Sequence, residues 1–85
     1  MTRTKFTYGQ LDRTLRAMNL SRRFLADDPP AYVYEHRKYG PLFTIPPFPE
    51  NDRVLDFHLA LARTMLDNFG IAEPTVFDAE LQKAG

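Results

Sequence analysis

Residues 31–45 read AYVYEHRKYGPLFTI, two β-prone runs joined by a polar turn. From Ala31 to His36, β-branched and aromatic residues put Tyr32 and Tyr34 on one face and Val33 on the other, the period-two pattern of a half-buried strand. Leu42 to Ile45 is a second run, and Arg37, Lys38, Tyr39 and Gly40 between the two predict a hairpin. Pro46 and Pro47 end it, because proline lacks the amide that a sheet ladder needs. Upstream, Ser21 to Leu25 is too short for a helix and is followed by Ala26, Asp27, Asp28, Pro29 and Pro30, a turn cluster. It reads as a third strand, and the three runs suit an antiparallel meander of two hairpins.

The flanks of this meander are helical. Thr7 and Gln10 have the spacing of a capping box, and Phe6 and Leu11 that of a hydrophobic staple. Leu11, Leu15 and Met18 then share one face, which predicts a helix from about Tyr8 to Met18. Asn19 supplies the left-handed stop, and Leu20 folds back toward Leu15. On the other flank Leu55, Leu59, Ala62, Leu66 and Phe69 form one stripe, closed by Gly70 and Ile71 in the same way. His58 falls off this stripe and reads as a surface residue. Between meander and stripe, Pro46 to Asp52 reads as an extended loop whose Phe48 is either a docking point or a plug at the edge of the core. Pro74, Thr75 and Asp78 open a short terminal helix over about residues 75–84, in which Phe77 and Leu81 face the body of the domain.

The expected fold is therefore α+β: helix, three antiparallel strands and helix, with the sheet packed against two helices and a short C-terminal helix added. Eighty-five residues suit one domain over 1–85, its core spanning about 7–71. A hydrophobic content of 44% with 13% aromatic residues argues against disorder of the whole chain. The absence of cysteine excludes a disulfide framework and a thiolate metal site, and points to a reducing compartment, the cytoplasm. No apolar run approaches the roughly 20 residues that span a bilayer, so no membrane role is expected. The two histidines are far apart in sequence and the glycines are isolated, so neither a metal nor a nucleotide cofactor is expected.

The net charge of zero hides an asymmetry, since residues 1–45 carry eight Lys/Arg against four Asp/Glu and residues 46–85 carry three against seven. Within the first 23 residues Arg3, Lys5, Arg13, Arg16, Arg22 and Arg23 face only Asp12. Such a cluster suits phosphate, and it equally suits a solvated helix face. The acidic second half suits a basic partner or, again, solvent.

The order of elements and the residues at its joints resemble the HicA family of small toxins, messenger-RNA ribonucleases with a fold like the double-stranded RNA-binding domain. HicB antitoxins neutralise them. The resemblance covers roughly residues 7–71. It rests on Leu11, Leu15, Met18, Asn19 and Leu20 as the leucine-rich helix and its stop, and on Val33, Tyr34, Glu35 and His36 as the aliphatic, aromatic, any residue, histidine strand. Gly40, Ile45 with Pro46, and Gly70 with Ile71 match the turn, the strand running into proline and the final helix stop. The family's glycine-serine-histidine segment, which carries its catalytic histidine, falls on Pro29, Pro30 and Ala31, and Ala31 has no group that moves a proton. The resemblance implies a bacterial RNA-directed component of a toxin–antitoxin pair, with an RNA ligand, a HicB-like protein partner and reduced or lost cleavage.

On the residues themselves, His36 is the better of two candidates for a base in metal-independent RNA cleavage, because histidine titrates near neutrality. Arg37 and Lys38 beside it suit a phosphate, Tyr32 and Tyr34 suit stacking on exposed bases, and Arg13, Arg16, Arg22 and Arg23 extend the basic surface. The competing reading has His36 bonding the neighbouring turn and the tyrosines covering the sheet. It makes the chain a non-catalytic protein-interaction domain.

Overall fold

A computed structural model describes residues 2–84 of the chain; Met1 and Gly85, the ends of the expected domain, lie outside the described residues. The order is β1 (Arg3–Thr7), α1 (Tyr8–Ala17), β2 (Leu20–Leu25), β3 (Ala31–His36), β4 (Gly40–Ile45), β5 (Arg53–Leu55), α2 (Asp56–Asn68) and α3 (Pro74–Lys83). The architecture is α+β. β2, β3 and β4 form an antiparallel three-stranded sheet with β3 in the middle, while β1 and β5 form a separate antiparallel pair. That second pair departs from the expected arrangement, which placed no strand before the first helix or after the meander.

Local chemistry explains the element ends. The Thr7 hydroxyl accepts the Gln10 amide at 3.2 Å and the Gln10 carboxamide accepts the Thr7 amide at 2.8 Å, so the capping box forms. The next two amides of α1 go to the loop: Tyr8 N–H donates to Asp52 O and Gly9 N–H to Glu50 O, both at 2.9 Å. With its first amides engaged, the N-terminus of α1 is closed to an anion. Asn19 (φ 69°) and Gly70 (φ 68°) take the left-handed conformation at the two helix stops. The Ile71 amide then donates back to Leu66 O at 2.9 Å.

One apolar cluster joins these elements. Leu11 and Leu15 of α1, Leu20, Tyr34, Phe43 and Ile45 of the sheet, Val54 of β5, Leu59, Ala62 and Leu66 of α2, and Phe77 and Leu81 of α3 are all buried in it. The sheet face that turns inward carries Leu20, Arg22, Phe24, Tyr32, Tyr34, Phe43 and Ile45 in register, and the opposite face carries Ser21, Arg23, Val33, Glu35 and Thr44. A register irregularity between Tyr34 and Glu35 accompanies the burial of both Leu42 and Phe43. Phe48 stacks flat on Tyr8, ring centroids 4.6 Å apart, which makes it the plug of the two expected roles. Phe69, the last member of the expected α2 stripe, is turned out toward solvent. No helix among the described residues is long and apolar enough to cross a membrane.

Candidate nucleic-acid interface

Three chain reversals meet at one edge of the molecule: the stop of α1 at Met18 and Asn19, the β3–β4 turn, and the stop of α2 at Gly70. The turn is possible because Gly40 takes φ 78°. His36, the last residue of β3, pairs with Leu20 on one side and Gly40 on the other. Its Nδ1 accepts the Lys38 amide N–H at 3.0 Å, which closes the turn. Outside this turn Tyr39 is 41% exposed, its ring 5.1 Å from the His36 ring and 5.4 Å from that of Phe69. The Lys38 ammonium lies 5.3 Å from the Tyr39 ring centroid. Arg37 and Lys38 enter no ion pair among the described residues.

Two open clefts flank His36. One, of about 820 Å³, is lined by Asn19, Leu20, Ser21, His36, Arg37 and Lys38. The other, of about 470 Å³, adds Tyr39, Met18, Ile71 and Val76 to that histidine, with Glu80 at its wall. Both clefts mix polar and apolar surface: Arg37 lines only the first, and Met18, Tyr39, Ile71 and Val76 line only the second. The carbonyl ends of α1 and α2 both arrive at the second cleft and bring partial negative charge to it.

The remaining candidate residues are dispersed. Asp12, on α1, accepts from Tyr34 Oη at 2.8 Å and from Arg16 Nε at 2.9 Å, and lies 3.5 Å from the Arg22 guanidinium. Arg22 also covers the Tyr32 ring at 4.3 Å. Burial, the largest single influence, opposes the charge on Arg22, but Asp12 together with the Tyr34 and Tyr32 phenols outweighs it and holds the guanidinium pKa above its ordinary value. Tyr34 is 4% exposed, so neither ring face is open to a base. Burial, and then its hydrogen bond to Asp12, push its phenol pKa up. Arg23, on the outer face of the sheet, donates twice to one Glu35 oxygen, at 2.9 and 2.7 Å, and Arg13 donates to the Ala84 carbonyl at 2.8 Å. Tyr32 and His36 are four residues apart on β3, about 13 Å along the strand. The structure thus gathers His36, Arg37 and Lys38, and ties Arg16, Arg22, Tyr32 and Tyr34 into a different group around Asp12. Tyr39 and Asn19 are the site residues that sequence reasoning passed over. The available signal was an aromatic side chain inside a polar turn, where it serves neither strand.

His58 is buried, 3% exposed, rather than on the surface. The Tyr8 hydroxyl accepts the Leu55 amide at 3.2 Å and shares a second hydrogen bond with His58 Nδ1 at 2.7 Å. The position lies four residues before Ala62, close enough to the apolar stripe to be swept under Tyr8 and Phe48. Burial, with the positive charge of Arg3 adding to it, lowers the His58 pKa below its ordinary value. The ring therefore protonates less readily in the fold than in the unfolded chain. Its contribution to stability is full above about pH 6.5 and is lost as pH falls from there through the folded value. Proton NMR titration of the His58 ring is expected to give a midpoint below 6.5; one at or above 6.5 contradicts the burial argument.

No family model matches the chain, and neither a curated protein nor a solved structure is significantly similar to it.

Proposed function

We propose that the chain is a HicA-like, RNA-directed component of a bacterial toxin–antitoxin pair, with cleavage reduced or lost, that meets RNA at the β3–β4 turn. The observation that carries this reading is the conjunction of two cations that enter no ion pair among the described residues, Arg37 and Lys38, with an imidazole and an exposed aromatic ring at one edge. Cations neutralise phosphate and aromatic rings take unstacked bases, and single-stranded RNA offers both. The two clefts divide these tasks. Phosphate belongs on the Arg37 and Lys38 flank, away from the helix carbonyl ends and Glu80, and a base belongs against Tyr39, Met18 and Val76. The succession α1, β2, β3, β4, α2 is consistent with the resemblance, to which β1 and β5 are additions. The acidic second half of the chain, carrying three Lys/Arg against seven Asp/Glu, suits a basic patch on a HicB-like partner.

Titration of a fluorescently labelled single-stranded RNA at low salt tests the reading. Affinity is expected to fall linearly on a log scale with added salt, and the double charge reversal Arg37→Glu with Lys38→Glu to weaken it at least about tenfold. Binding that is absent, or indifferent to salt and to the reversal, overturns the reading. The chain is then better described as a non-catalytic protein-interaction domain, for which the exposed Phe69 and Val76 beside Tyr39 are the contact points.

A further inference from the structure

The hydrogen bond that closes the β3–β4 turn also determines which nitrogen of His36 carries a proton. Nδ1 accepts the Lys38 amide, so it holds a lone pair, and in the neutral ring the proton sits on Nε2. Moving that proton to Nδ1 would set it head to head with the Lys38 N–H. The outward-facing chemistry of His36, which borders both clefts, is therefore an N–H donor and not a lone pair. A base that takes the 2′-hydroxyl proton of RNA needs the reverse. The second histidine supplies no substitute, because His58 is buried and its Nδ1 is held by the Tyr8 hydroxyl. Glu35, next to His36 in sequence, belongs to the opposite face of the sheet and is engaged by Arg23. Ala31, where the resemblance places a histidine, pairs with Leu25 at the far end of the sheet, about 17 Å along the strand from His36.

We infer that His36 is a binding residue: its Nε2–H donates to a phosphodiester oxygen of single-stranded RNA held by Arg37 and Lys38, and the bound strand is not cut. The inference rests on the RNA reading above and adds the role of this side chain within it.

Two substitutions separate the ligand role from the turn role, because each amide copies one ring nitrogen. In His36→Asn, the side-chain oxygen stands near the place of Nδ1 and can still accept the Lys38 amide, but no donor remains at the place of Nε2. In His36→Gln, the amide nitrogen restores a donor near the place of Nε2. RNA affinity is expected to fall about tenfold in His36→Asn, the loss of one charge-assisted hydrogen bond, and to stay within about threefold of the native protein in His36→Gln. Long-range nitrogen–proton NMR of the free protein should show an unprotonated Nδ1 and a protonated Nε2 at His36. A proton on Nδ1, native affinity in His36→Asn, equal weakening in both variants, or cleavage of the bound RNA by the native protein each overturns the inference. Failure of the native protein to bind RNA at low salt overturns the RNA reading itself, and the NMR result shows separately whether the tautomer argument stands.

Discussion

Replacing Phe77 by alanine is expected to cost about 3–5 kcal/mol of folding stability. The ring has no exposed surface and lies where α3 joins the apolar cluster, with Leu81 one turn further on at 1% exposure. α3 touches both α1 and α2, and Arg63 of α2 holds it by two hydrogen bonds to Asp78 Oδ1, at 3.0 and 2.8 Å. That ion pair is partly exposed and contributes at most about 1 kcal/mol, so the aromatic ring is the main attachment of the helix. A small domain has about 5–15 kcal/mol in total, so the loss leaves a protein near the limit of folding. Val76, half exposed on the same helix, is the control: Val76→Ala is expected to change stability by no more than about 0.5 kcal/mol. Urea unfolding followed by circular dichroism measures both. A Phe77→Ala loss below about 1 kcal/mol would show that α3 lies outside the cooperative unit.

The second large effect is expected at Asp12. Its carboxylate is the shared acceptor of Tyr34 Oη and Arg16 Nε and the counter-charge of Arg22, and the residue is buried. Asp12→Ala strands a buried hydroxyl and removes the anion beside Arg22, which together should cost about 2–4 kcal/mol. Tyr34→Phe alone, which keeps the ring and removes the donor, should cost about 1 kcal/mol. Because the two residues share one hydrogen bond, the double variant is expected to lose less than the sum of the singles by at least about 0.5 kcal/mol. Strict additivity in the same urea measurement would mean that the contact does not stabilise the fold. The arrangement also bears on the proposed RNA reading, since Arg16, Arg22 and Tyr34 are engaged by Asp12. The charge surplus of the N-terminal half, large when counted along the chain, is reduced at the surface by these internal pairings.

Signals carried by neighbours in sequence were legible without coordinates. The capping box at Thr7 and Gln10, the left-handed stops at Asn19 and Gly70, the three strands of the meander and the helix over Asp56–Asn68 all follow from contacts within a few residues. The β1–β5 pair was not legible. RTKFT holds one apolar residue among five, and its partner RVL is three residues long and about fifty positions away, so neither segment carries a strand pattern of its own. Two isolated strands are marginal in water. This pair exists because Val54 is fully buried in the common core and the loop before it is bonded to the start of α1.

The candidate site divides along the same line. Sequence alone determined that His36, Arg37 and Lys38 stand together, because a short turn between two strands leaves them no other place. Only the tertiary structure decided that Tyr34 is buried against Asp12, that His58 is buried under Tyr8, and that Tyr39 lies beside Phe69 from the distant end of α2. The physical reason is that strand and helix periods assign a residue to a face, while burial and charge pairing depend on which remote face is pressed against it.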